Sequence, residues 1–234
     1  MTSKIKELKF LATPEKGDVS ALLMRPDNAT HLLVLGHGAS SNMRTPMLTT
    51  IAERLADQGI ATFRYNFPYS ENGRGRDPNP VCVATIRSAV KAAREAAPDL
   101  PIFAGGHSFS GRMTSTAASE APLDGVSGLV FFAFPLHPPK APDTKRAEHL
   151  SKVTVPMLFL SGTRDTLAEL ELLAPVVKKL GKLATMHLVD TADHSFKVLK
   201  KSRASQEDPF VEMARTVKEW ADKIVKPAAT RTAS

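Results

Sequence analysis

Short apolar runs alternate along this chain with stretches whose apolar residues recur at helical spacing, and few architectures accept that alternation. The runs fall at 31–35, 60–66, 102–105, 126–134, 156–160 and 185–189. Each is apolar almost throughout, as expected of a strand covered on both faces. Between them lie helical stripes: Leu48, Ile51, Ala52 and Leu55; Cys82, Ile86, Ala89, Val90 and Ala93; Leu173, Val176, Val177 and Leu180; and Phe210, Met213, Ala214, Val217, Trp220, Ala221 and Ile224. Gly59, Pro98 and Gly181 close the first three. The pattern predicts an α/β domain with a mostly parallel, doubly wound sheet and helices on both faces. Two weaker runs, 6–11 and 19–24, predict an antiparallel hairpin at one edge. A single domain over 1–226 and a flexible tail over 227–234 are expected.

Bulk properties narrow the class. The 234 residues suit one domain, long enough to bury a full core. A lone cysteine, Cys82, allows no internal disulfide, and its place on a helical stripe reads as a small buried hydrophobe. No apolar stretch approaches the ~18 residues of a membrane span, and the first residues carry no hydrophobic signal segment. The expectation is a cytoplasmic protein without a membrane partner, in which the sequon at Asn28 goes unused. The formal charge of +7 is dispersed rather than patterned. Its densest group, Lys197, Lys200, Lys201 and Arg203, precedes a tail with Lys226 and Arg231, and no aromatics interleave with it. That argues for a solvated basic face and against a nucleic-acid partner.

The chemistry is announced by the string from Ile102 through Gly105-Gly106-His107-Ser108-Phe109-Ser110-Gly111. An apolar run stops at paired glycines, a serine follows, and a helix-compatible segment begins. A strand, a sharp turn and a helix with a hydroxyl at the apex present Ser108 as a nucleophile. The usual pattern is G-x-S-x-G; here Ser110 occupies the last place and Gly111 follows. Such a serine needs a base, an acid and oxyanion donors. His194 lies in the loop after the last strand run and can reach the carboxyl ends of the others. Asp165 follows a strand run and the Gly162 turn, which puts a carboxylate on the same edge; it can alternatively cap a following helix. Asp190 and Asp193 are rival acids by closeness to His194, but sequence neighbours tend to point apart. The glycine-rich turn after Leu35 can aim the Ala39 amide inwards, to pair with that of Phe109 at a helix N-terminus. His37 is expected to brace this turn. The order Ser108, Asp165, His194 puts one group after each of three strand runs.

The sequence resembles a small α/β-hydrolase, of a compact branch of the dienelactone-hydrolase-like group that includes testis-expressed, chromatin-complex-associated members. The resemblance spans nearly the whole chain and rests on segments 35–39, 64–69, 105–108, 111–113, 134–139, 161–165 and 193–196. It implies an α/β-hydrolase fold with Ser108, Asp165 and His194 in the triad roles. Dienelactone hydrolases proper use a cysteine nucleophile where this chain has Ser108, so lactone hydrolysis is not implied.

The resulting expectation is hydrolysis of a small acyl ester through an acyl-enzyme, with no metal or organic cofactor. No side chains show metal-ligand spacing; His137 stands among prolines and His149 is isolated. Segment 135–152 is too short and polar for a cap domain, so an open mouth and short, soluble esters are expected. Tyr65, Phe67, Tyr69 and Phe109 are candidates to line the mouth. Arg44, Arg64 and Arg112 are candidates to hold an anionic group. The competing readings are a non-catalytic interaction protein that keeps the fold, and thioester or peptide cleavage by the same triad. The sequence carries no signal for an oligomeric state.

Overall fold

Eight strands form one sheet in the computed structural model, which describes residues 3–73 and 75–225. They are β1 (Ser3–Thr13), β2 (Gly17–Pro26), β3 (His31–Gly36), β4 (Ile60–Tyr65), β5 (Ile102–His107), β6 (Val126–Phe132), β7 (Met157–Gly162) and β8 (Ala184–Val189). Their order is β1-β2-β4-β3-β5-β6-β7-β8. β2 runs antiparallel to both its neighbours, and every pairing from β4 to β8 is parallel. The edge hairpin is therefore present, and the strands beyond it end on one common edge.

Helices cover both faces, as the alternation predicts. α1 (Pro46–Asp57) and α6 (Pro209–Ile224) lie on one, against Leu33, Leu35, Val130 and Leu158. α3 (Asn79–Ala96), α4 (Phe109–Glu120) and α5 (Leu170–Leu180) lie on the other, against Leu32, Val34, Leu129 and Phe159. A single turn, α2 (Pro68–Glu71), follows β4. α6 illustrates the local logic. The Asp208 side chain accepts hydrogen bonds from the Phe210 and Val211 amides and Pro209 follows it, which starts the helix. Met213, Val217 and Trp220 then recur on one face and are buried. Each such aliphatic or thioether side chain contributes roughly 1.5–3 kcal/mol through burial.

Three expectations need correction. The run at 126–134 leaves the sheet after Phe132, because Ala133 takes φ 57° and its amide turns to the Leu160 carbonyl. The run at 185–189 is only partly covered, because β8 is an edge strand with a neighbour on one side. Arg64, read as a candidate anion ligand, is a core residue whose guanidinium donates to the Met43 carbonyl (3.2 Å) and the Thr49 hydroxyl (2.8 Å). Segment 135–152 holds a 3₁₀ helix, Lys145–Lys152, that packs on α4, and no inserted cap. The proposed tail, 227–234, lies outside the described residues, as do Lys226 and Arg231. Among the described residues no helix is long and apolar enough to cross a membrane.

Strands β5 and β6 approach so closely that a Cβ built on Gly105 would meet the Val130 carbonyl oxygen at 1.8 Å. Backbone cannot yield as a flexible side chain does. Gly105→Ala is expected to destabilise the fold by about 3 kcal/mol or more, measured from the urea midpoint. Gly75→Ala, where a Cβ meets nothing within 4 Å, leaves that midpoint within about 0.5 kcal/mol of wild type.

Candidate active site

Ser108, Asp165, His194, Ala39 and Phe109 all lie beyond the carboxyl ends of parallel strands. Ser108 directly follows β5 and adopts φ 53°, ψ −112°, a conformation L-residues avoid. Its amide donates to the Phe132 carbonyl at 2.9 Å, which ties the elbow to β6. The turn requires small neighbours. A Cβ on Gly106 (φ 154°) would lie 2.1 Å from Ser110 Oγ, and one on Gly36 would lie 2.5 Å from Ser110 Cβ. Ser110 replaces the usual glycine because those two glycines leave room for it. Its hydroxyl donates to the His107 carbonyl at 3.1 Å and helps hold the turn.

Across this edge, Ser108 Oγ lies 2.8 Å from His194 Nε2, and His194 Nδ1 lies 2.8 and 2.9 Å from the two Asp165 oxygens. The arrangement is consistent with one tautomer: Nδ1–H donates to Asp165 and Nε2 accepts the serine proton. The Asp165 side chain is fully buried, whereas 21% of the His194 side chain is exposed. Ser108 is partly exposed, so solvent and a ligand can reach it. Asp165 also accepts the Leu167 amide at 2.8 Å, but it caps no helix: α5 begins at Leu170 with Glu169 at its N-cap, so the alternative capping role is not realised. The rival acids are engaged elsewhere. Asp193 accepts the amides of Ser195 and Lys197, and Asp190 accepts that of Ala204.

The loops bearing Asp165 and His194 are stapled together. Thr163 and Arg164 amides donate to the Val189 and Ala192 carbonyls (3.2 and 2.8 Å), and the Thr191 amide donates back to Thr163 Oγ1 at 2.8 Å. Two further histidines are buried around them. His37 donates from Nδ1 to the Gly38 carbonyl (2.8 Å) and accepts the Phe67 amide at Nε2 (3.2 Å), bracing the turn as expected. His107 donates from Nε2 to the His194 carbonyl at 3.1 Å. Burial lowers both to about 4, so each is neutral at physiological pH and adds no cation beside His194.

A cleft of about 930 Å³ opens at this point, with Ser108, His194 and Ala39 in its wall. Phe109 opens α4, so its amide sits in the first turn, where no intrahelical acceptor exists. The apolar wall comes from Met47, Leu167, Val198 and Phe210. None was singled out as a site residue. Phe210 was read as part of a core stripe, and no spacing signal marks Met47 or Val198.

The expected mouth residues fare differently. Tyr65 is completely buried and Tyr69 nearly so, both in an aromatic cluster with Phe67. They support the wall behind the site and do not line the cleft, because β4 and α2 turn those rings into the core. Arg44 is exposed, pairs with Glu7 at 2.7 Å, and does not line the cleft either. Arg112 is half-buried on α4, its guanidinium carbon 5.7 Å from the centre of the Phe109 ring.

The fold has relatives. A family model described as an alpha/beta hydrolase domain matches residues 29–222. Among solved structures, a dienelactone hydrolase from Anabaena variabilis is 17% identical, with 97% of this chain and 100% of that one covered, at a TM-score of 0.73. A serine hydrolase without a lid from Xanthomonas campestris is 18% identical, covering 97% and 98%, at 0.71. Est1E from Butyrivibrio proteoclasticus, with ferulic acid bound, is 17% identical, covering 88% and 95%, at 0.69. At these identities the structures speak for the fold alone; the family match, which spans most of the chain, decides the affiliation, and the protein belongs to the alpha/beta-hydrolase domain family.

Proposed function

We propose that this protein is a serine hydrolase that cleaves small acyl esters through an acyl-enzyme. The observation that carries the reading is the unbroken chain of hydrogen-bond contacts from Asp165 through His194 to Ser108, at 2.8–2.9 Å, on one solvent-reachable edge. Nucleophile, base and orienting acid are within proton-transfer distance before any substrate arrives. The neighbours described as a dienelactone hydrolase and a serine hydrolase without a lid are consistent with ester chemistry.

In this mechanism Ser108 Oγ attacks the acyl carbon while His194 Nε2 takes its proton. Asp165 stabilises the imidazolium and holds the ring. The amides of Ala39 and Phe109 receive the developing oxyanion; one such donor is worth about 3 kcal/mol of barrier in comparable sites. His194 then protonates the departing alkoxide. Water, activated by the same imidazole, attacks the acyl-enzyme and releases the acid. The steps use only side-chain and backbone groups of this chain. The open cleft with an apolar wall suits a short acyl or alcohol portion.

Two experiments test the assignment. A fluorophosphonate probe is expected to add one label to the folded wild type, located at Ser108 by peptide mass spectrometry, and none to Ser108→Ala. A folded wild type that stays unlabelled would instead favour a non-catalytic protein retaining the fold. Asp165→Asn is expected to lower kcat on a p-nitrophenyl ester by about 10⁴-fold. Asp190→Asn keeps the acceptor that Ala204 uses and should retain wild-type turnover. If Asp190→Asn shows the large loss, Asp165 is not the acid. A matched panel of ester, thioester and peptide substrates ranks the chemistries, with the ester expected to have the highest kcat/KM.

A further inference from the structure

Among the described residues, two arginines beside the elbow have no protein acceptor. Among the described residues, every other arginine donates from its side chain to a carboxylate, carbonyl or hydroxyl. Arg76 and Arg112 donate to none. They also share one aromatic neighbour. Their guanidinium carbons lie 5.1 and 5.7 Å from the centre of the Phe109 ring, the residue directly after Ser108. A third guanidinium, Arg146, is brought up by the 3₁₀ helix Lys145–Lys152. That helix is pinned to α4 by a 2.7 Å contact of His149 Nε2 with Ser115 Oγ, and Arg146 is anchored by a 2.9 Å bond to the His137 carbonyl.

Such a cluster costs free energy as it stands. Arg112 is half-buried, so its donors have lost part of their water without gaining a partner. Burial, with the neighbouring charges of Arg146 and Arg76, pulls its pKa below the ordinary arginine value. No carboxylate contributes to that balance, whereas the surface arginines Arg25 and Arg215 are raised by their partners. Stacking on Phe109 recovers some of the cost. An oxyanion would recover more, because a guanidinium fork matches two oxygens of a carboxylate or a phosphate.

We propose that Arg112, Arg76 and Arg146 form an anion subsite beside the nucleophile, which selects ester substrates bearing a carboxylate or phosphate on the portion extending past Phe109. Arg112 lies one helical turn beyond Ser108, its amide donating to the Ser108 carbonyl at 3.2 Å. Catalytic use of the subsite rests on the serine-hydrolase reading; anion binding does not. Arg76 and Arg146 carry no sequence signal for the role, since neither lies near Ser108 along the chain.

The test has a kinetic and a binding arm. The kinetic arm compares p-nitrophenyl valerate with mono-p-nitrophenyl glutarate, esters of equal chain length that differ by a terminal carboxylate. Wild type is expected to favour the glutarate in kcat/KM. That preference should fall at least tenfold in Arg112→Gln and Arg76→Gln and recover in part in Arg112→Lys. The binding arm titrates glutarate, and separately inorganic phosphate, into Ser108→Ala by calorimetry. At least one should bind, weaken with added salt, and lose affinity at least tenfold in Ser108→Ala/Arg112→Gln; comparing the two says which oxyanion the site prefers. If neither anion binds in an Arg112-dependent way, the subsite is overturned. Arg112-dependent binding to a protein that hydrolyses neither ester and takes no fluorophosphonate label would overturn the hydrolase reading and leave the subsite standing. An unchanged glutarate-to-valerate ratio in both glutamine variants removes the subsite from substrate selection.

Discussion

How closely the strand ends approach one another governs this molecule. The main chains of β3, β5 and β6 pass so near each other around Gly36, Gly105 and Gly106 that a single methyl group would collide with backbone or with Ser110. That proximity puts the Ser108 elbow, strained at φ 53°, against a wall that cannot relax. Strain of this kind costs on the order of 1–3 kcal/mol and persists only where the surroundings over-determine it. Here they do: the Ser108 amide is bonded to β6, Ser110 Oγ to the His107 carbonyl, and the following helix is packed on the sheet.

A second close approach sets the other half of the site. A Cβ on Gly162 would meet the Ala192 carbonyl oxygen at 2.3 Å, so the loops after β7 and β8 touch through their backbones. The amide and hydroxyl staples between Thr163, Arg164, Thr191 and Ala192 follow from that contact. They fix the separation between Asp165 and His194 more firmly than one side-chain hydrogen bond can. His107 completes the link. Neutral and buried, it joins the elbow to the His194 backbone and so ties the two halves of the site together.

Electrostatics is distributed unevenly around this frame. On the cleft side the buried histidines are neutral, and the charges in the lining, Lys197, Lys200 and Asp208, are of both signs. On the far side of Phe109 the Arg76 and Arg112 guanidiniums lie over its ring and Arg146 adds a third positive charge, which the Asp143 carboxylate partly offsets. The net charge of +7 says nothing of this division, because it sums groups that lie on every face.

Much of the fold and of the candidate site was legible along the chain. Apolar runs marked the buried strands because a strand covered on both faces has no polar side to show, and β8 departed from that because it lies at an edge. The glycines around Ser108 announced the elbow, since few other residues permit that turn. The order of Ser108, Asp165 and His194 was sufficient to nominate them. Asp165 could be ranked above Asp190 and Asp193 because it follows a separate strand run while they are chain neighbours of His194, but the contact itself depends on where the loops aim each carboxylate. The burial of Tyr65 and Tyr69, the pairing of Arg44 with Glu7, and the approach of Arg76 and Arg112 to one ring were not legible. Local sequence determines which backbone conformations and buried faces are affordable, and that was enough for strands, helices and a strained serine. Contacts between loops far apart in the chain depend on how the sheet twists and how closely its ends pack, and only the tertiary structure decided those.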